Sequence, residues 1–374
     1  MINKKNAFVP INKGQFSLET EDREQLFEKN RGYGVEEEYK INRKLWSEYP
    51  KMQHVSEYPL HVDLELSAVC NLQCPMCYTI SPEFKEKVNA KYMDFDLFKK
   101  IIDECSEGKV YSIRLSFRGE SFLYKNIVEC IRYAKSKGIR EVSTLTNGLR
   151  LDEEMFEEIM KAGMDWITIS FDGLGETYEQ IRKPAKYDRA VEKITNYAQI
   201  KKNFGKVKPV IKIQSILPAI QDNLQEFYEV FKPISDLVYA NPLIDFHQSK
   251  KNLPKIKNFS CPEIYQRIVV GADGLCMMCA NDESGKVIIG DANNQSIKEI
   301  WHGPVLTKVR EQHSRHVATD EISACSECYL PIETFQQSIA IGDRGVVAEK
   351  YVQGTQKVFE LHTPEKFRRK DLKI

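Results

Sequence analysis

Three cysteines stand four and three residues apart in "SAVCNLQCPMCYTI": Cys70, Cys74 and Cys77. Thiolates are soft ligands that suit zinc, copper(I) and iron–sulfur clusters. A structural zinc site closes its shell with four protein ligands, and no fourth ligand lies close by in the sequence. A [4Fe–4S] cubane has four irons, so three thiolates leave one iron free to take another molecule. A C-x3-C-x2-C loop is short enough to wrap one such cluster.

A second group follows much later: Cys261, Cys276, Cys279, Cys325 and Cys328. Clustering of this kind points to metal or cofactor chemistry. Taken alone, its C-x2-C spacing equally permits a structural zinc ribbon. Cys105 and Cys130 differ, since each sits in an apolar stretch of helical period where a free cysteine acts as a small buried hydrophobe. The chain has 54 basic and 54 acidic residues, a balance that carries no nucleic-acid footprint and no bias toward an anionic membrane surface. No secretory h-region follows the first lysines, and no apolar run approaches the ~18 residues of a membrane span. A cytoplasmic location is expected, where thiols stay reduced rather than pairing as disulfides.

Positioning the first group requires a framework, and residues 61–245 supply an alternation of strand and helix. Strands are expected at "HVDLELSAV", "YSIRLSF", "EVSTLTN", "WITISFD", "PVIKIQSIL" and "DLVYANPLI". Between them lie five stretches with apolar residues at i, i+3 and i+4, several ending on glycine. This order predicts a parallel α/β domain, either doubly wound or a partial barrel. In both folds the active site lies at the carboxyl ends of the strands. Cys70, the Arg118-Gly119-Glu120 turn, Asn147-Gly148 and Asp172-Gly173 all fall there. Residues 1–60 are read as an N-terminal extension with a helical stretch, 246–335 as a smaller cysteine-bearing domain, and 336–374 as a tail with a basic end.

A C-x3-C-x2-C motif followed by an aromatic, Tyr78, just after the first strand of an α/β domain resembles the signature of the radical S-adenosylmethionine (radical SAM) enzymes. "RGESFL" is similar to that family's Gly-Gly-Glu-Pro turn, with Arg118 in place of the first glycine and Ser121 in place of the proline. "TNG" and "ISFDG" resemble the branch with auxiliary clusters. The resemblance spans about residues 60 to 335. It implies a partial (β/α)6 TIM-like barrel in which a [4Fe–4S] cluster on Cys70, Cys74 and Cys77 binds S-adenosylmethionine through its open iron. It also implies roles for individual residues. Gly119 and Glu120 would receive the ammonium of the cofactor, Ser170 and Asp172 its ribose and Arg182 its carboxylate. Tyr78 and Asn147 are further candidates for the same pocket.

The second cysteine group resembles the SPASM or shorter twitch extension. By that resemblance Cys261, Cys279, Cys325 and Cys328 would hold one auxiliary [4Fe–4S] cluster, with Cys276 as the alternative to Cys279. Three residues apart on a strand, those two side chains face opposite ways, so one of them reaches the cluster. The expected activity is reductive cleavage of S-adenosylmethionine, then oxidation of a small molecule such as a sugar or aminocyclitol, with electrons from a flavodoxin- or ferredoxin-type donor. The sequence leaves three other readings: a redox-neutral epimerase with Cys276 as hydrogen donor, a peptide-modifying enzyme of the ribosomal-peptide or sulfatase-maturing kind, and a non-catalytic zinc or iron–sulfur protein. The sequence singles out no catalytic base.

Overall fold

A computed structural model describes residues 7–13, 16–243, 253–353 and 357–358. A short strand β1 (Phe16–Ser17) and helices α1 (Glu21–Arg31) and α2 (Glu36–Met52) come first. The alternating region follows: β2 (His61–Leu64), α3 (Pro82–Lys87), α4 (Phe95–Glu107), β3 (Ser112–Arg114), α5 (Ile127–Ser136), β4 (Glu141–Thr146), α6 (Glu153–Ala162) and β5 (Trp166–Ser170). It continues through α7 (Gly175–Ile181), α8 (Tyr187–Asn203), β6 (Val210–Ile216), α9 (Leu217–Ile220), α10 (Leu224–Phe231) and β7 (Leu237–Asn241). The second cysteine region contains β8 (Arg267–Val270), β9 (Leu275–Met277), β10 (Ile288–Asp291), α11 (Ile297–Trp301), α12 (Pro304–Ser314), α13 (Ala318–Glu321) and α14 (Ser323–Ser326). Strands β11 (Thr334–Ile341) and β12 (Arg344–Gln353) form a separate hairpin.

Strands β2 to β7 lie side by side in chain order, all parallel. Strand β8 joins the free side of β2 in parallel, and β9 and β10 extend that edge antiparallel. At the other edge β1 pairs antiparallel with β7. The sheet therefore runs unbroken from the barrel into the second cysteine region, and its two edges do not pair with each other among the described residues. The expected partial barrel is formed and stays open.

Local sequence explains the helices. Asp94 caps α4 by accepting from the amides of Asp96 and Leu97, at 2.8 and 3.1 Å. Leu97, Phe98, Ile101, Ile102 and Cys105 then bury one stripe of that helix against the sheet. Asp152 caps α6 in the same way, and α6 ends on Gly163 at φ +100°, a conformation glycine adopts without steric cost. Cys105 and Cys130 are fully buried in the core, as the helical period predicts.

Of the two faces of these parallel strands only one is apolar. Val62, Ile113, Val142, Ile167, Ile211 and Val238 pack beneath the helices. The intervening His61, Ser112, Glu141, Thr168, Lys212 and Tyr239 line the concave interior. Helices α1 and α2 close the amino-terminal end of that interior with Phe27, Arg31, Arg43 and Trp46.

The expectation of a featureless tail from residue 336 fails over residues 334–353. Ile341 pairs with Arg344 across the two-residue turn Gly342-Asp343, and Gly342 has φ +55°. A Gly-Asp pair between alternating residues is a hairpin signal, and Val346, Ala348 and Tyr351 bury one face of the ribbon. The boundary at 245–246 and the basic end lie outside the described residues.

Candidate active site

The loop after β2 carries Cys70, Cys74 and Cys77, all part-exposed. It turns tightly, with the Cys77 amide donating to the Cys74 carbonyl at 3.0 Å. Gly119 explains how the neighbouring turn approaches so closely. A Cβ there would lie 2.3 Å from the Ser67 carbonyl oxygen and 2.6 Å from that of Val69. The Glu120 amide also donates to Val69 at 2.9 Å, so only glycine lets the turn after β3 lie against the backbone leading into Cys70.

Glu120 is buried and joins two strand ends. Its carboxylate accepts from Thr146 Oγ1 at 2.7 Å, from the Asn147 amide at 2.8 Å and from the Phe122 amide at 3.1 Å. Burial pushes its pKa up, and those hydrogen bonds oppose the shift. Asn147 in turn reaches the cysteine loop, with Nδ2 2.8 Å from Asn71 Oδ1 and 3.9 Å from Cys70 Sγ. Ser170 ends β5 on the same rim, registered opposite Gln214.

Asp172 and Arg182 meet each other. The guanidinium donates from Nε and Nη2 to Asp172 Oδ2 at 2.9 and 2.6 Å, while Oδ1 accepts the Ile216 amide at 3.0 Å. The positive charge of Arg182 acts on Cys74, Cys70, Cys77 and Glu120. Burial is nevertheless the larger influence on these thiols, and it pushes Cys74 up to about 12. Tyr78 is buried and packs edge-on against Phe84, with ring centroids 5.8 Å apart.

Arg118, where the sequence departs from the family's glycine, forms an ion pair with the fully buried Glu65, Nε to Oε1 at 2.7 Å. Its Nη1 also donates to the Glu283 carbonyl at 3.1 Å, and Glu65 accepts the Ala272 amide at 3.1 Å. The departure thus ties the barrel rim to the second cysteine region.

In that region Cys261, Cys279, Cys325 and Cys328 line one small cavity with His313 and Asp282. Cys276 does not line it; it is fully buried on β9, its thiol 3.6 Å from the Gly274 carbonyl. His313 bridges two of the cysteines. Its Nδ1 accepts the Cys261 amide at 3.3 Å, which leaves Nε2 as the donor to Cys325 Sγ at 3.6 Å. Burial depresses His313 to about 4, so the ring stays neutral. The four thiols ring a cavity rather than converge, and among the described residues no three His, Cys, Asp or Glu side chains are arranged to hold a single metal ion.

The sequence reading missed the barrel interior. Arg114, Lys212, Arg43 and Trp166 line a cavity there. The available signal was the period-two alternation of polar residues within each strand.

A half-open trio of thiols on the rim of a parallel sheet defines a class of protein, and residues 64–230 match the radical SAM superfamily. Residues 261–329 match the SPASM iron–sulfur cluster-binding domain. The cofactors of this class are S-adenosylmethionine and [4Fe–4S] clusters. An uncharacterised protein of Methanocaldococcus jannaschii is 32% identical over 181 residues, 46% of this chain and 40% of that protein. The tungsten-containing aldehyde ferredoxin oxidoreductase cofactor-modifying protein of Pyrococcus furiosus is 31% identical over 143 residues, 34% of this chain and 39% of its own length. The chain thus spans about two fifths of the length of these relatives. The structure of SuiB from Streptococcus suis bound to precursor peptide SuiA superposes with a TM-score of 0.53 at 14% identity, covering 73% of this chain and 71% of that one. That likeness is one of fold. No helix among the described residues is long and apolar enough to cross a membrane.

Proposed function

We propose that this radical SAM enzyme dehydrogenates a small molecule such as a sugar or aminocyclitol. Its auxiliary cluster would accept the electron left on the substrate after hydrogen-atom abstraction. The observation that carries the reading is the contrast between the two thiol sets. Cys70, Cys74 and Cys77 are part-exposed on a rim, whereas Cys261, Cys279 and Cys325 are buried around a closed cavity that Cys328 completes. An open site suits a cluster that must bind another molecule, and a closed one suits a cluster that only exchanges electrons.

The residues fit these groups. A zinc site would draw four sulfurs to within about 3.8 Å of one another, given Zn–S bonds of roughly 2.3 Å. A ring of thiols around a cavity favours a larger cluster. With clusters and cofactor bound, the site supplies reductive cleavage of the sulfonium, a hydrogen-abstracting 5′-deoxyadenosyl radical and an electron acceptor. The protein itself binds and orients. Glu120 has a free lone pair on Oε2 for the ammonium of S-adenosylmethionine, beside the Gly119 backbone. Arg182, held by Asp172, offers its remaining N–H groups to the cofactor carboxylate. Ser170 faces the ribose, and Asp172 acts through Arg182. Asn147 steadies the cysteine loop. An external flavodoxin- or ferredoxin-type protein supplies the first electron.

The epimerase reading needs a thiol close to the substrate, and Cys276 is buried against Gly274, away from the barrel cavity. Anaerobic reconstitution followed by dithionite and S-adenosylmethionine tests the proposal. Wild-type protein should hold eight irons per chain and release 5′-deoxyadenosine, and Cys279→Ala with Cys325→Ala should hold four. The true substrate should leave two hydrogens lighter. An intact sulfonium, or a substrate of unchanged mass, would overturn the reading.

A further inference from the structure

The interior of the barrel holds donors and positive charge without matching acceptors. Three of its cations are paired. Arg31 meets Glu141 through Nε and Nη2 at 2.7 and 2.9 Å. Arg114 and Arg267 share Asp63, at 2.7 and 3.4 Å. Lys212 has no such partner. It is only 6% exposed, and among the described residues no hydrogen bond or ion pair reaches its ammonium. Its neighbours are the faces of Tyr239 at 4.0 Å and Trp166 at 5.9 Å. Arg43 likewise lies over Trp46 and Tyr39, at 5.0 and 5.8 Å, without a carboxylate in ion-pair range.

The unsatisfied groups share one polarity. Arg43 Nε, Arg267 Nε and Trp166 Nε1 are buried with no hydrogen-bond acceptor, and all three side chains line this cavity. Every one is a donor. Buried polar groups are rarely left unpaired, and a one-sided set marks a missing partner. Water would offer donors as well as acceptors, whereas an anion offers acceptors alone.

We propose that this cavity seats a carboxylate or phosphate group of the substrate, with Lys212 and Trp166 Nε1 as its principal contacts and Arg43 closing the floor from α2. The proposal rests on the radical SAM reading above and adds the substrate class: a small anion. The register also sets its length. Lys212 stands opposite Thr168, and two residues further along, at the rim, Gln214 stands opposite Ser170. At about 3.3 Å per residue, the anionic group lies roughly 7 Å below the rim where hydrogen abstraction occurs. Repulsion from Arg31 and Arg114 adds to burial in depressing the Lys212 ammonium, a strain that a bound anion relieves.

The test uses the reconstituted full-length protein, titrated anaerobically with inorganic phosphate and separately with malonate at constant ionic strength. Heat and tryptophan fluorescence report binding, since Trp46 and Trp166 line the cavity. Saturable binding of one equivalent of either anion is expected, and the tighter of the two identifies the group. Lys212→Met should weaken it at least about tenfold, while Lys212→Arg should keep most of it. Without anion, Lys212→Met should melt higher than wild type, the opposite of what a structural lysine gives. If that variant does not fold, Trp166→Phe, which removes one neutral donor, must weaken binding. The absence of saturable binding to wild type, or binding indifferent to these changes, overturns the proposal. Release of 5′-deoxyadenosine from the same preparation reports separately on the radical SAM reading.

Discussion

At the scale of single residues, the rim shows that a polar side chain's partner decides its role. Asp172 and Arg182 were expected to touch different parts of one cofactor, but the carboxylate is occupied by the guanidinium and by the Ile216 amide. Asp172→Asn should therefore act through Arg182, loosening a bidentate grip and leaving its charge in place. A KM for S-adenosylmethionine raised about tenfold is expected, with kcat nearly unchanged, as for loss of one charge-assisted hydrogen bond. Steady-state release of 5′-deoxyadenosine checks this. An equal loss in kcat would place Asp172 in the chemistry itself. Cys70, Cys74 and Cys77 were legible because their spacing is local. The Asp172–Arg182 pair was not, because a turn and a helix bring together residues ten apart.

At the scale of elements, the junction between barrel and auxiliary region depends on one buried ion pair. Arg118 reaches Glu65 and the Glu283 carbonyl, and Glu65 also holds the Ala272 amide. Arg118→Ala leaves the Glu65 charge buried without a partner, a change that costs about 3–5 kcal/mol. Denaturant unfolding should show that loss, and hydrogen exchange should rise first in the segments around Ala272 and Glu283. The sequence showed Arg118 only as a departure from a glycine; a contact with Glu283 across so many residues leaves no periodic trace. The strands and helices themselves were legible, since caps and period are local features. The parallel pairing of β8 with β2 was not, because it joins strands far apart in the chain.

At the scale of the whole molecule, the barrel concentrates charge in its interior, which gives stability a pH dependence. Burial and neighbouring cations lower Lys212 from 10.5 to about 7. Between those values the unfolded chain carries a proton that the folded protein has released, so this group makes stability rise with pH across that window. Below about pH 7 both states are protonated and the penalty of burial is constant. A thiol held protonated by burial, such as Cys276, acts in the opposite sense above pH 9. The difference between wild type and Lys212→Met isolates the lysine. Denaturation midpoints at pH 7 and pH 9 should show Lys212→Met losing its stability advantage as pH rises. A pH-independent difference would place the ammonium in contact with solvent.

The order of strands and helices, the caps, the three-thiol loop and the membership of a later cysteine group were all set by residues near one another in the chain. Such features follow from backbone period and ligand spacing, which a linear text preserves. Which of Cys276 and Cys279 faces the shared cavity, how β8 carries the sheet into the second region, and what the inward face of the barrel collects were settled only by folding. Those outcomes depend on pairing between distant strands. The same polar side chain is solvated on an open strand and left without a partner once six strands curve around it.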